Sequence, residues 1–74
     1  MSAARYWHGP VPKRDDFGDL IDSEFIDGRT LLGPWGLMTP DSWRRHGQSN
    51  MKLGTGIGQR YQLQSDGGWL KVEG

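Results

Sequence analysis

Residues 59–74, QRYQLQSDGGWLKVEG, form the stretch of sequence that decides most about the fold. Asp66-Gly67 separates two segments in which apolar and polar residues alternate, a pattern typical of a β-hairpin with a two-residue turn. This register pairs Arg60 with Glu73 and collects four apolar side chains on one face, namely Tyr61, Leu63, Leu70 and Val72. We therefore predict a hairpin in this register, since a three-residue loop would break the agreement between the charge pair and the apolar face.

A second hairpin is predicted in residues 23–32, SEFIDGRTLL. Asp27-Gly28 separates two apolar segments and favours a type I′ turn. The next six residues, GPWGLM (33–38), contain two glycines and a proline, which are unfavourable in the middle of a sheet. We expect this segment to be extended but irregular.

The segment MTPDSWRRHG (38–47) predicts a short helix. Thr39 is a suitable N-cap, Pro40 suits the first helical position, and Gly47 suits the position after the last turn. A helix of about two turns is not stable alone, so Trp43 is expected to dock it on the core. A glycine-rich loop over residues 47–58 should follow. These features together predict a β-rich α+β fold with two β-hairpins and one short helix.

The length of 74 residues allows one small domain. Gly9, Pro10 and Pro12 predict an extended N-terminal arm over residues 1–13, which leaves residues 14–74 as the domain. The chain has no cysteine, which excludes disulfides and thiolate metal sites. Its four tryptophans can compensate in part, because each can bury a large apolar area.

Nine basic and nine acidic residues give no net charge, which argues against a strongly basic nucleic-acid-binding domain. Charges of opposite sign are separated along the chain. All charged side chains in residues 15–27 are acidic, and all those in residues 44–60 are basic. We expect a dipolar surface whose acidic part is solvated or faces a basic partner. No apolar stretch approaches the roughly 20 residues that span a bilayer, and the N-terminus lacks an apolar signal segment. A soluble, cytoplasmic protein without membrane association is predicted.

No motif in the chain indicates catalysis, a cofactor or a metal. A nucleophile–base signature is lacking, so the chain is predicted not to be an enzyme. The glycines of GTGIGQR (54–60) could bind phosphate, but this loop opens a strand rather than a helix, and glycines needed for close backbone approach are the better explanation. The two histidines, His8 and His46, lack the close ligand spacing of a zinc site.

Basic residues beside aromatic ones give the best candidate for a binding surface. Such a surface could stack single-stranded bases or anchor a protein interface. The alternative is that these residues only supply solubilising charge. The candidate residues are Arg44, Arg45, Lys52, Arg60 and Trp69.

Five segments carry a resemblance to known proteins: FIDGRT, GPWGLM, MTPDSW, LGTGIGQRY and DGGWLKVEG. In this order they resemble a group of small, mostly uncharacterised phage and prophage proteins that look like miniature zinc ribbons. Members carry Cys-x-x-Cys-Gly where this chain has RDDFG (14–18), and Cys-Pro-x-Cys where it has TPDS (39–42). The resemblance implies a zinc-ribbon-like fold without metal, because none of the four ligand positions keeps its cysteine. These positions are Arg14, Phe17, Thr39 and Ser42.

Three functions agree with these observations, and we expect the first. The chain would be a non-enzymatic phage or prophage protein that binds a host protein or nucleoprotein in the host cytoplasm. Inhibition of a host defence system, in the manner of anti-CRISPR proteins, is one form of this function. The alternatives are a nucleic-acid-binding, zinc-ribbon-like module and a structural component of a virion or larger assembly. The sequence leaves the oligomeric state open.

Overall fold

The computed structural model describes residues 4–74 and contains four strands and one helix. The elements are β1 (Glu24–Arg29), β2 (Trp35–Met38), α1 (Pro40–His46), β3 (Gly58–Leu63) and β4 (Trp69–Glu73). The strands form one antiparallel sheet in the order β2-β1-β3-β4. The predicted β-rich α+β class, with two hairpins and one short helix, is confirmed. Residues 1–3 of the predicted arm lie outside the described residues.

The first hairpin turns later than predicted. Asp27 and Gly28 lie inside β1, and the turn runs from Thr30 to Pro34, with a hydrogen bond from Thr30 N to Pro34 O at 3.0 Å. The type I′ prediction was wrong because Gly28 serves another purpose. A Cβ atom at this position would lie 2.8 Å from the Trp43 ring, so glycine lets the helix approach the strand closely.

The segment predicted to be irregular is in fact a regular strand. Trp35–Met38 pairs with β1 over four residues and lies at the edge of the sheet. Gly33 and Pro34 lie in the turn before the strand, and Gly36 is tolerated within it because an edge strand needs hydrogen-bond partners on one side only.

The second hairpin has a three-residue loop, so the predicted register was wrong by one residue. Gln64 N donates to Gly68 O at 2.7 Å, and Gly67 between them has a φ of 88° that favours glycine. Leu63 consequently lies opposite Trp69 instead of Leu70. The ladder is irregular after Arg60, where an extra residue in β4, Val72, forms a bulge.

That bulge restores the predicted charge pair. Arg60 lies opposite Glu73 despite the shifted register, with 3.4 Å between Arg60 Nε and Glu73 Oε1. The apolar face is different, however, because Tyr61 and Leu63 now share their side with Trp69 while Leu70 points to the other side.

The two faces of the sheet are covered by different parts of the chain. On the helix face, Trp43 of α1 packs with the fully buried Ile26 and Met38, and Leu53 and Ile57 of the following loop pack beside them. This confirms that Trp43 docks the short helix on the core.

On the opposite side, which we call the aromatic face, Phe25 is fully buried. The rings of Trp7, Tyr61 and Trp69 surround it, with centroids 5.1–5.2 Å from that of Phe25. Trp7 comes from the N-terminal arm, which runs beside β4 and is joined to it by the hydrogen bonds Trp7 N to Trp69 O (2.9 Å) and Lys71 N to Arg5 O (2.7 Å).

Within residues 4–74, no helix is long and apolar enough to cross a membrane.

Candidate functional site

The loop over residues 15–22, which we call the acidic loop, packs against the start of α1 through a buried carboxylate. Asp15 is only 6% exposed. Its Oδ1 accepts hydrogen bonds from the backbone N–H groups of Phe17 and Asp19, both at 2.9 Å, and its Oδ2 accepts from Thr39 N at 2.8 Å. One carboxylate therefore closes its own turn and also joins it to the residue that caps the helix.

A second carboxylate completes this contact. Asp19 Oδ2 accepts from Ser42 Oγ at 2.8 Å, from Thr39 Oγ1 at 3.3 Å and from Arg45 Nη2 at 2.7 Å. Thr39 Oγ1 accepts from Ser42 N at 3.1 Å, which confirms the predicted N-cap. We call the contact made by Asp15, Asp19, Thr39 and Ser42 the carboxylate clasp.

Hydrogen bonding to the charged form controls the pKa of Asp15. Burial would raise the pKa of this carboxyl, but the backbone hydrogen bonds from Thr39, Asp19 and Phe17, together with the nearby Ser42 hydroxyl, outweigh that effect and lower it. The group is ionised at neutral pH, so a buried negative charge is held by donors instead of by a cation.

Asp16, another residue of the acidic loop, forms hydrogen bonds with the edge strand β2. Asp16 Oδ2 accepts from Leu37 N at 2.8 Å, and Asp16 N donates to Leu37 O at 3.0 Å. The outward-facing N–H and C=O groups of Leu37 are thereby occupied. The expectation of a solvated acidic surface was wrong for Asp15, which is buried, and for Asp19, which is partly buried, whereas Asp16 is exposed and accepts one hydrogen bond from the fold.

The clasp joins residues 14–19 to residues 39–42, which include the four ligand positions of the predicted zinc-ribbon resemblance. Thr39 and Ser42 face Asp19, while the Phe17 ring stacks on His46 with centroids 4.1 Å apart and an 8° angle between the planes. Arg14 Nη1 donates to Gly18 O at 2.8 Å. No group of three or more His, Cys, Asp or Glu side chains within residues 4–74 is arranged to hold a metal ion.

The candidate basic residues do not form one free cationic surface. Arg44 pairs with Asp41 at 2.9 Å, and Arg45 pairs with Asp19 at 2.7 Å and with Asp41 at 3.4 Å. The carboxylates of the clasp and of the first helical turn thus balance both arginines of the helix.

The other three candidates are dispersed. Arg60 lies between Glu24 at 3.3 Å and Glu73 at 3.4 Å. The strand register puts Trp69 on the aromatic face, opposite to the side of Arg60, and the Trp69 ring packs against Phe25. Lys52 is exposed in the loop after the helix.

The glycine-rich loop uses its own backbone donors. Gly54 N donates to Gly58 O, while Ile57 N and Gly58 N both donate to Gly54 O, at 2.9–3.0 Å. These N–H groups are therefore not directed at a phosphate, in agreement with the explanation that the glycines permit close backbone approach. Gly58 fits that explanation, because a Cβ atom there would lie 2.8 Å from Gly28 Cα.

We expect the two arginines of the helix to differ in their effect on stability. Arg45→Gln should lower the free energy of unfolding by about 0.5–1 kcal/mol, because Arg45 joins α1 to the acidic loop through a half-exposed ion pair. Arg44→Gln breaks only an exposed pair within one helix turn and should have a smaller effect. Urea denaturation followed by circular dichroism measures both, and equal losses would contradict the assigned role of Arg45.

An exposed apolar surface lies at the tip of the first hairpin. Leu31 is 63% exposed and Leu32 is 93% exposed. With Phe17 and His46, which stack on each other, they line a cavity of about 210 Å³. We call this surface the hairpin tip. Such a cavity is smaller than the roughly 300–1,000 Å³ of most small-molecule sites.

Sequence reasoning missed this surface because it assigned both leucines to a strand. The signal was nevertheless present, since Gly33 and Pro34 directly follow the leucines and favour a turn there. Two leucines at a turn are unusual because turn positions favour polar residues.

Fold and geometry define a small α+β domain with one four-stranded antiparallel sheet, a single short helix in residues 4–74 and an exposed apolar tip. No family model, no curated protein and no solved structure matches this chain.

Proposed function

We propose that this chain is a non-enzymatic binding protein that docks on another protein through its hairpin tip. The observation that carries the proposal is the exposure of two adjacent leucines around a cavity lined by aromatic rings. A small domain gains no stability from leucines in water, whereas a central apolar contact can supply much of the affinity of an interface.

The size of the cavity supports a protein as the partner. A volume of about 210 Å³ accommodates one large apolar side chain, but it is small for a drug-sized ligand. The partner would insert an apolar side chain beside Phe17 and cover Leu32, while the polar atoms of Arg45 and His46 remain at the rim. An apolar centre with a polar rim is the usual anatomy of a protein interface.

The resemblance to phage and prophage proteins supports a host protein or nucleoprotein as the partner, in the cytoplasm of the host cell. Inhibition of a host defence complex is the specific form that we propose. The pairing of Arg44, Arg45 and Arg60 with carboxylates gives the alternative, nucleic-acid binding by these residues, less support, because neutralised arginines release fewer counterions from phosphates.

Site-directed cross-linking tests the proposed docking. A photo-reactive amino acid at position 32 should capture one bacterial protein, whereas the same probe at the exposed position 52, in the loop after the helix, should not. The cross-linking is carried out in a bacterial lysate, and prior treatment of this lysate with nuclease distinguishes a protein target from a nucleoprotein target. Cross-linking of the chain only to itself would contradict the proposal and favour a structural role in an assembly.

Leu32→Asp provides the quantitative test. The exposed side chain contributes little to folding, so the free energy of unfolding should change by less than about 0.5 kcal/mol. Affinity for the captured partner, measured by calorimetry, should fall by at least about tenfold, since a charge would enter an apolar contact. Lys52→Glu is the matched control and should leave the affinity unchanged. Equal effects of the two substitutions would overturn the docking surface.

A further inference from the structure

The N-terminal arm lies beside the sheet as a short fifth strand. Tyr6 forms an antiparallel bridge with Leu70, and one backbone hydrogen bond on each side of this bridge joins the arm to β4. Without the arm, the N–H and C=O groups along this side of β4 would form an open edge, and an open edge can bind another extended segment. The outer edge of β4 is therefore a strand-addition site that the chain fills with its own arm.

A single tryptophan anchors the arm on the aromatic face. Among residues 4–13, only Trp7 and Val11 are not exposed. The Trp7 ring meets the rings of Phe25 and Tyr61 edge-on, with centroids 5.2 and 5.4 Å away. Phe25 is fully buried in this arrangement, so removal of the Trp7 ring would open the aromatic face to water. We call the outer edge of β4 together with Phe25 and Tyr61 the arm seat.

Only a short link connects the seated part of the arm to the rest of the chain. After Trp7, the next residue with a hydrogen bond to the rest of the described chain is Lys13, whose carbonyl accepts from Ile21 N at 2.9 Å. The link therefore consists of residues 8–12. Within residues 4–74 its only hydrogen bond runs from Trp7 Nε1 to Pro10 O at 3.3 Å, inside the arm itself. The arm can consequently leave its seat without breaking a hydrogen bond between the link and the sheet.

The link bends where the arm folds onto its own domain. Gly9 has a φ of 96°, in the left-handed region that favours glycine, and this bend brings Pro10 O to the Trp7 ring. Pro10 and Pro12, in contrast, favour an extended link, because proline fixes its own φ and disfavours helical backbone in the residue before it. An arm that crosses to a second copy has no need of this bend.

We propose that the arm seat also accepts the arm of a second copy of this chain, so that two copies exchange arms reciprocally. The exchanged pair makes the same contacts at each seat as the single chain does, which makes such an exchange a low-cost route to a dimer. A short link gives the chain's own arm an effective concentration on the order of millimolar, so exchange should become substantial near that protein concentration. An exchanged pair would carry two hairpin tips, but the exchange does not depend on docking there.

A disulfide formed between two copies tests the exchange directly. The bridge between Tyr6 and Leu70 places Arg5 opposite Lys71, and the chain has no cysteine of its own. Copies with Arg5→Cys and copies with Lys71→Cys are mixed, unfolded, refolded together at about millimolar concentration and oxidised. The mixed covalent dimer should form at least several-fold more than in a mixture of Arg5→Cys with Lys52→Cys, since Lys52 lies in the exposed loop after the helix.

Equal yields in the two mixtures would show that the disulfide forms by random encounter and would overturn the exchange. Light scattering on the unmodified chain gives an independent measurement. It should show a monomer at about ten micromolar and a dimer in growing proportion as the concentration approaches millimolar. A chain that stays monomeric over this range would also overturn the proposal.

Two glycines separate exchange of the arm from other forms of dimerisation. Gly9→Ala should lower the dissociation constant of the dimer at least about tenfold, because alanine is strained in the left-handed bend and two links are relieved in each pair. Gly33→Ala is the matched control, since Gly33 has a φ of 110° and a Cβ atom at either glycine would meet open space. Gly33 lies in a hairpin turn that both forms keep, so its substitution should change the constant by less than about twofold. Equal changes at the two glycines would mean that the link does not control the dimer.

Discussion

Trp43→Ala is expected to remove most of the stability of this chain. Trp43 is 7% exposed and covers the buried Ile26 and Met38, and truncation of such a side chain costs about 3–5 kcal/mol. A domain of this size has a total stability of roughly 4–11 kcal/mol at typical values per residue. The seven-residue helix would also lose its attachment to the core, since a helix this short is not stable alone.

Urea denaturation followed by far-ultraviolet circular dichroism measures this loss, with Trp35→Ala as the matched control. Trp35 is 47% exposed on the edge strand, so the same truncation should cost much less there. Similar losses at the two positions would show that Trp43 does not organise the core.

Gly47 tests the same contact from the opposite side. A Cβ atom at Gly47 would overlap the Trp43 ring, so Gly47→Ala should cost about 1–3 kcal/mol. Gly54→Ala meets open space and serves as the control. In the Trp43→Ala background the penalty at Gly47 should largely disappear, because the overlapping ring is absent. A penalty that persists in this double-mutant cycle would contradict the contact.

Asp15→Ala is the second substitution with a large expected effect, about 2–4 kcal/mol. It would leave the buried N–H of Thr39 without an acceptor and free two further N–H groups, those of Phe17 and Asp19. An unsatisfied buried donor costs about 1–3 kcal/mol. Asp22→Ala, at an exposed position nearby, is the control and should be nearly neutral. A small effect at Asp15 would mean that the carboxylate clasp does not hold the acidic loop.

The same residue should make stability depend on acid pH. The pKa of Asp15 in the folded chain lies below its ordinary value of 3.8, so the unfolded chain binds more protons between these two pKa values. The contribution of Asp15 is therefore complete above about pH 4. It is lost as the pH falls below 3.8 and through the folded pKa. Denaturation midpoints measured between neutral and acid pH should show this loss, and Asp15→Asn should reduce it. An unchanged slope in Asp15→Asn would assign the acid sensitivity to other groups.

The carboxylate clasp joins the two parts of the chain in which the sequence predicted a resemblance to miniature zinc ribbons. In the folded chain, residues 14–19 and 39–42 are joined by hydrogen bonds from Thr39 and Ser42 to the carboxylates of Asp15 and Asp19. We propose that these bonds supply the tether that a structural zinc would otherwise provide, since such a metal contributes directly to folding.

Local chemistry alone determined the short helix and the class of fold. Thr39 caps the helix, Pro40 begins it and Gly47 follows its last residue, as predicted, because each of these preferences acts within one turn of backbone. The second hairpin was also predictable from the alternation of apolar residues and the glycine in its turn, whereas Gly28, the glycine assigned to the first turn, lies inside β1. The pairing of Arg60 with Glu73 was correct as well, although a bulge produces it.

Only the tertiary structure decided the turns, the faces of the sheet and the partners of the charges. In the sequence Gly28 looks like a turn residue, but in the fold the Trp43 ring lies directly against it. Asp15 and Asp19 look like part of a solvated face, but in the fold they accept hydrogen bonds from the start of the helix. Arg45 and Arg60 resemble parts of a free basic patch in the sequence, but in the fold Asp19 and Glu24, which are distant in sequence, lie beside them. The physical reason is range: capping and turn preferences act between neighbours in the chain, whereas burial and ion pairing depend on residues that meet only after folding.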